Sequence, residues 1–110
     1  MERPGHENCP CMETCPLNRA LGLIGGKWKM QILCALSNNG PTRYNRLKKT
    51  LDGVSNTVLA NALRELEEDG LVLRREYLEV PVRVEYAVTE HGSALLPILD
   101  ALGAWSESVS

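Results

Sequence analysis

No apolar run in the 110-residue chain approaches the roughly 18 residues that a membrane-spanning helix needs, so we expect no membrane partner. The first six residues, Met-Glu-Arg-Pro-Gly-His, lack the apolar core of a secretory signal peptide, which predicts a cytoplasmic protein. Histidine occurs only as His6 and His91, and no Ser-His-Asp order, glycine-rich phosphate loop or paired-carboxylate motif is visible. These absences argue against an enzyme and predict neither catalytic residues nor a cofactor.

Acidic residues are missing from residues 14–51, which contain seven basic residues. Residues 52–110 contain four basic and eleven acidic residues, so a formal net charge of −2 hides a basic half. A basic segment of this kind attracts a polyanion such as nucleic acid while the whole protein stays soluble.

Length and composition predict one folded domain preceded by an arm. A chain of 110 residues rarely contains two independent cores. Residues 1–14 have few apolar residues and many turn formers, so we expect a flexible arm there and a single domain over residues 15–110.

Periodicity and capping residues predict an ordered series of elements. The helices are expected at 16–24, 27–37, 46–51 (capped by Asn45), 55–69 and about 90–108. A short extended piece is expected at 42–44, and a hairpin at 71–77 and 83–88. This order predicts a mainly α fold with a small β-hairpin wing (α+β), the winged helix-turn-helix arrangement, which reads DNA by placing one helix in the major groove.

The helix over 55–69 has the features of a DNA-reading helix. Ser55 is a good N-cap and Gly70 a good stop, while Val58, Leu59, Ala62, Leu63 and Leu66 form the expected buried face. Asn56, Thr57, Ala60, Asn61 and Arg64 then point outward. Asn can pair with adenine, Arg with guanine, and Thr or Ala with the thymine methyl group.

Apolar residues near the C-terminus predict a helical seam for a second subunit. Leu95, Ile98, Leu102, Trp105 and Val109 recur every three or four residues, the rhythm of a helix–helix interface. The alternative is that this seam packs within its own subunit. Pro97 should loosen the helix locally because it removes a backbone donor. Two symmetric subunits predict a palindromic operator.

Several separated motifs carry a family resemblance. They are Cys15-Pro16-Leu17, Leu23-Ile24-Gly25-Gly26-Lys27-Trp28, Arg43-Tyr44-Asn45-Arg46-Leu47, Ser55-Asn56, Leu63-Arg64-Glu65-Leu66-Glu67, Gly70-Leu71-Val72, Glu79-Val80-Pro81-Val82-Arg83-Val84-Glu85-Tyr86 and Thr89-Glu90-His91-Gly92. With these motifs the chain resembles the HxlR-type bacterial transcription regulators over residues 15–106. The resemblance implies a homodimeric winged-helix protein that binds double-stranded DNA, dimerises through its terminal helices and responds to a reactive small-molecule inducer, an electrophile, an oxidant or another stress.

The resemblance implies which residues contact DNA, because the positions of this sequence match those of the family motifs. It implies contacts to bases or nearby phosphates from Ser55, Asn56, Thr57, Asn61 and Arg64. It further implies that Arg43 contacts the DNA backbone. It also implies that Arg83 belongs to the wing and lies near the minor groove of the DNA. Lys27 and Lys29 are expected to add phosphate contacts.

Cys15 is the candidate sensing thiol. A cysteine at a helix N-terminus feels the positive end of the helix dipole, which lowers the thiol pKa, and Arg19 acts in the same direction while Glu13 opposes it. The resemblance also implies a sensing cysteine at this place. The alternative is a small buried apolar residue. Cys34 lies within an apolar helix and is expected in the core.

Two further functions stay open. His6, Cys9, Cys11 and Cys15 offer four ligands for a soft metal, although Cys-x-Cys-x₃-Cys is an unusual spacing for structural zinc, so no metal is predicted. A winged-helix adaptor that binds only proteins is the other alternative. The acid-free stretch 14–51 and Arg83 argue against it, because a protein adaptor needs neither.

Overall fold

A leucine-rich core joins three helices to a small sheet in the computed structural model, which describes residues 16–109. The elements are α1 Pro16–Ile24, α2 Lys27–Asn39, β1 Thr42–Arg43, α3 Tyr44–Thr50, α4 Asn56–Glu68, β2 Val72–Tyr77, β3 Arg83–Val88, α5 Glu90–Ser93 and α6 Leu96–Val109. The three strands are antiparallel in the order β1-β3-β2. This confirms the predicted winged helix-turn-helix order, with α3 and α4 as the helix-turn-helix pair and β2–β3 as the wing.

The core is made by the faces that α2, α3 and α4 turn toward one another. Its fully buried large side chains are Ile32, Leu33, Leu36, Leu47, Leu59, Leu63 and Leu66. Burial of each such side chain stabilises the fold by about 1.5–3 kcal/mol relative to leaving it exposed. The core therefore fixes α4 against α2 and leaves its opposite face to solvent.

The predicted ends of α4 are confirmed. Ser55 has extended backbone angles, and its Oγ accepts a hydrogen bond from the Val58 N–H at 3.1 Å. Gly70 has a φ of +78°, in the left-handed region that favours glycine after a helix. These two residues set the length of the helix that carries the candidate DNA-facing side chains.

Two predictions about helix boundaries were wrong in detail. Asn45 does not cap α3, because the chain passes from β1 directly into the helix at Tyr44, and Arg43 takes the N-cap position without a side-chain cap bond. The last helix is split into α5 and α6. Thr89 caps α5, since its Oγ1 accepts from the Gly92 N–H at 3.0 Å, but α6 restarts at Leu96. Pro97 lacks an N–H and is tolerated only in a first helical turn, which explains the break before it.

Two side chains expected in the core are exposed. Val58 was expected on the buried face of α4, but Leu59, Ala62, Leu63 and Leu66 fill that face and Val58 lies at its edge. Cys34 was also expected in the core. It is exposed because α2 turns Ile32, Leu33 and Leu36 inward instead. Cys34 lines a groove of about 470 Å³ between α2 and α6.

Helices α1 and α6 lie at the periphery, and neither contains a buried residue. On α6, Ile98 is 62% exposed and Trp105 is 61% exposed. Leu95 alone of the predicted seam packs partly against the core. The rest of the seam is therefore uncovered within the described subunit. Among residues 16–109, no helix is both long enough and apolar enough to cross a membrane.

Candidate nucleic-acid interface

The first three turns of α4 gather the predicted DNA-facing side chains on one exposed surface. Ser55, Asn56, Thr57, Asn61 and Arg64 are all exposed. The helical repeat places Thr57, Asn61 and Arg64 on the side opposite the buried leucines, whereas Asn56 lies in the first turn on the side of Leu59 and Leu63 and is exposed there. We call this surface the α4 face. Its polar amide, hydroxyl and guanidinium groups match the donors and acceptors of base edges in the major groove.

Tyr44 links the beginning of α3 to the beginning of α4. Its hydroxyl donates toward the backbone carbonyl oxygen of Asn56 and toward Asn56 Oδ1, both at 3.2 Å. The Tyr44 ring is half-buried and packs against the core. Arg43 immediately precedes it and is exposed.

Arg64 makes only weak contacts within the protein. Its Nη2 donates to Asn61 Oδ1 at 3.3 Å, and its Nη1 lies 3.6 Å from Glu68 Oε2. Both members of the Arg64–Glu68 pair are more than half exposed, and exposed pairs contribute little to stability. The guanidinium is therefore free to exchange these partners for a base or phosphate.

The two lysines at the start of α2 have different surroundings. Lys29 Nζ lies 2.7 Å from Glu65 Oε1, and only 12% of its side chain is exposed. The hydrogen bond and the charge of Lys29 lower the pKa of Glu65 below its ordinary value of 4.5. The phosphate contact expected from Lys29 stays a prediction, and it would have to replace this ion pair. Lys27 is exposed, with its ammonium 4.6 Å from the Trp28 ring centroid.

Arg83 lies at the base of the wing loop and is surrounded by partners. Its guanidinium carbon lies 4.2 Å from the centroid of the Tyr77 ring, and its Nη atoms lie 3.0 Å from Glu79 and 3.6 Å from Glu85. The side chain is 29% exposed. The charge of Arg83 is thus balanced in the free protein.

The tip of the wing loop carries exposed apolar side chains. Leu78 is 89% exposed and Val80 is fully exposed. The apolar residues Leu78 and Val80, on either side of Glu79 in the sequence, were the signal that could have predicted this apolar tip. Sequence reasoning also missed Tyr44 and Glu65, for which no local signal exists because their partners are distant in the chain.

The proposed thiol and metal residues lie largely outside the described residues. His6, Cys9, Cys11 and Cys15 all precede Pro16, where α1 begins. Within residues 16–109, no group of three or more His, Cys, Asp or Glu side chains is placed to hold a metal ion. The metal alternative stays untested.

The model of the HxlR-like helix-turn-helix family matches residues 23–110. The chain belongs to that family. Among HxlR-like relatives, an HTH-type transcriptional regulator of Halalkalibacterium halodurans is 44% identical over 94 residues, which cover 86% of this chain and 83% of the relative. The HTH-type transcriptional regulator YtcD of Bacillus subtilis is 46% identical over 85 residues, which cover 77% of this chain and 67% of YtcD.

Solved structures of the same fold include two that match most of both chains. The redox regulator HypR in its oxidized form is 39% identical with a TM-score of 0.78, covering 86% of this chain and 96% of HypR. The reduced transcriptional regulator YodB of B. subtilis is 35% identical with a TM-score of 0.76, covering 90% of this chain and 91% of YodB. This HxlR-like chain is therefore a transcriptional regulator with a helix-turn-helix fold, a class whose members are typically not enzymes.

Proposed function

We propose that this chain is a homodimeric, sequence-specific DNA-binding regulator that places α4 in the major groove. The observation that carries the proposal is the α4 face itself. A core-anchored helix with a capped N-terminus exposes two amides, a hydroxyl and a guanidinium to solvent along its first three turns. A major groove about 12 Å wide admits one such helix, with its N-terminal residues at the base edges.

Basic groups near the α4 face supply the phosphate contacts. Arg43 and Arg46 are exposed at the start of α3, and Lys27 is exposed at the start of α2. The backbone N–H groups at the start of α4 add the positive end of a helix dipole, with no acidic residue in the first turn. These contacts position the protein on the duplex, while Asn56, Asn61 and Arg64 supply the base readout.

A selection from randomised duplex DNA tests this function directly. Purified protein is expected to enrich one sequence motif, and a scrambled duplex of equal length and composition should compete about a thousandfold or more less well. Enrichment of no motif, or equal competition by both duplexes, would contradict sequence-specific reading. Protein capture without any duplex binding would instead favour the adaptor alternative.

The homodimer is proposed from the uncovered seam on α6. Ile98, Leu102, Trp105 and Val109 form a row of exposed apolar side chains. Leu17 and Leu21 of α1 are also exposed, so both terminal helices of the described region present apolar surface. Two copies that bury these rows against each other give a two-fold axis, which predicts a selected motif with inverted half-sites spaced by whole helical turns.

Cys15 is proposed as a thiol that switches DNA binding. It directly precedes Pro16, and the first turn of α1 contains no acidic residue. A thiol next to a helix N-terminus and a basic side chain is favoured as the reactive thiolate. The similarity to HypR, a redox regulator, and to YodB, whose structure also exists in a diamide-treated form, supports this proposal.

Serine variants separate the sensing thiol from the others. Cys15→Ser is expected to bind DNA as well as the wild type in reducing buffer but to lose the response to diamide. Cys34→Ser is the matched control and should keep that response. A full diamide response in Cys15→Ser would contradict the role of Cys15 and move the switch to another cysteine.

A further inference from the structure

Tyr44 contacts the side chain of Asn56 at the beginning of α4. Its hydroxyl lies 3.2 Å from both the carbonyl oxygen and the Oδ1 atom of Asn56. When one hydroxyl proton is shared between two acceptors, each O···O distance is longer than the roughly 2.7–2.8 Å of a single O–H···O hydrogen bond. The contact spans twelve residues of sequence and joins α3 to α4 where α4 would enter the groove.

The orientation decides which part of the Asn56 amide is offered to DNA. A carboxamide has one acceptor oxygen and one NH₂ group with two donors. Because Oδ1 faces the Tyr44 hydroxyl, the NH₂ group points away from that contact, and Asn56 is an exposed residue. Asn56 therefore presents donors to an approaching base, with one acceptor position of its oxygen already used.

We infer that Tyr44 is a positioning residue that makes Asn56 read guanine rather than adenine. Guanine presents two acceptors in the major groove, N7 and O6, whereas adenine presents one acceptor and one donor. The usual pairing of Asn with adenine needs the carboxamide oxygen to accept a hydrogen bond from the adenine N6 amino group, and this pairing is weaker when the same oxygen already accepts from Tyr44. This inference rests on the proposed function.

Asn61 provides the contrast within the same helix. Its Oδ1 also accepts a hydrogen bond, from Arg64 Nη2 at 3.3 Å. Arg64 is more than half exposed, whereas the Tyr44 ring is half-buried against the core. The partner of the Asn61 amide is therefore more easily displaced by adenine than the partner of the Asn56 amide.

The test uses Tyr44→Phe, which removes only the hydroxyl and keeps the ring in place. The base pair that Asn56 reads is first located as the position whose discrimination is lost in Asn56→Ala. Duplexes with guanine or adenine at that position are then titrated with each protein. Wild type should prefer guanine, and Tyr44→Phe should shift the ratio toward adenine by about three- to tenfold, the change that one net hydrogen bond gives. An unchanged ratio, or wild-type preference for adenine, would overturn the inference.

Controls separate this role from a merely structural one. Tyr77→Phe removes a hydroxyl from the wing and should leave the ratio unchanged. Tyr44→Phe in the Asn56→Ala background should have no effect on base preference. An undiminished effect there would show that the hydroxyl acts through the backbone carbonyl of residue 56 and would contradict an effect through the Asn56 side chain. Without DNA, the NMR chemical shifts of the Asn56 side-chain NH₂ should change in Tyr44→Phe, and those of Asn61 should not. Unchanged Asn56 chemical shifts would contradict the contact between Tyr44 and Asn56.

The two proposals fail in distinguishable ways. Specific binding by the wild type with an unchanged base ratio in Tyr44→Phe removes only the role of Tyr44. Absence of specific binding by the wild type removes the proposed function and the inference that rests on it.

Discussion

The ammonium group of Lys29 lies 2.7 Å from the carboxylate of Glu65, and this ion pair joins the start of α2 to the middle of α4. The Lys29 side chain is mostly buried, whereas the Glu65 side chain is about half exposed. The pair lies one turn after Asn61 on the helix that carries the α4 face. It therefore joins α4 to α2 beside the leucine core, and one basic residue of the acid-free stretch has a partner within the fold.

The effect of Glu65 on stability should depend on pH. Because Lys29 lowers the folded-state pKa of Glu65 below 4.5, the pair stabilises the fold above that pH. The contribution is lost as the pH falls from 4.5 through the lower folded-state value. Glu65→Gln should lower the midpoint of thermal unfolding at pH 7, and the difference from the wild type should vanish at a pH where Glu65 is protonated in both the folded and the unfolded protein. Glu68→Gln, which alters the exposed pair with Arg64, is the control and should have a smaller effect at pH 7. Equal effects of both variants at all pH values would contradict this role.

Arg64 should act as a base reader rather than as a general cation. Arg64→Ala is expected to weaken binding to the selected duplex by about 10- to 100-fold and binding to a scrambled duplex far less. Arg43→Ala is the matched comparison and should weaken binding to both duplexes alike. It should also reduce the slope of log affinity against log salt concentration by about one. Fluorescence anisotropy titrations measure both variants. Equal losses on the two duplexes for Arg64→Ala would show that it does not read a base.

The α6 seam should hold two subunits together. Ile98→Glu places a charge in the apolar row and is expected to reduce the mass in solution from twice 12.2 kDa to 12.2 kDa. Ala104→Glu, on the opposite side of α6 by the helical repeat, adds the same charge and should leave the dimer intact. Light scattering during size-exclusion chromatography measures the mass. A dimeric Ile98→Glu protein would place the interface elsewhere.

Gly92 allows α5 to pack closely on the wing. A Cβ at this position would collide with the carbonyl oxygen of Leu71 and with Val88 Cγ2. Gly92→Ala should destabilise the fold by about 1–3 kcal/mol. Gly103→Ala in α6 meets no atom within 4 Å and should stabilise by about 0.4–1 kcal/mol, since alanine is the better helix former. Urea unfolding at pH 7 measures the free energy of unfolding of both variants and the wild type. A Gly92→Ala protein as stable as the wild type would contradict the close approach of Gly92 to Leu71 and Val88.

Local signals predicted the parts of the fold that local chemistry decides. Ser55 and Gly70 end α4 as expected, because a cap and a left-handed glycine depend on a few neighbouring atoms. Strands β2 and β3 were likewise predicted to within a residue at their ends. The helix that carries the α4 face was therefore predictable from the sequence alone.

The errors arose where distant residues decide the outcome. The ion pair of Lys29 was not predicted because its partner, Glu65, lies 36 positions away in the sequence. Cys34 was read as core because the pattern of α2 does not show which apolar side chains face α3 and α4. The Tyr44–Asn56 contact has the same origin, since the turn between α3 and α4 brings these residues together.

The central claim is that the α4 face reads DNA under control of a thiol. The most direct measurement is a gel shift with the upstream intergenic DNA of the protein's own gene, with and without reductant and across a salt series. The account predicts specific binding in reductant, an affinity that falls by about 0.9 log units per log unit of salt for each phosphate contacted, and a change in binding on oxidation. Binding with no sequence preference in both redox states would contradict it.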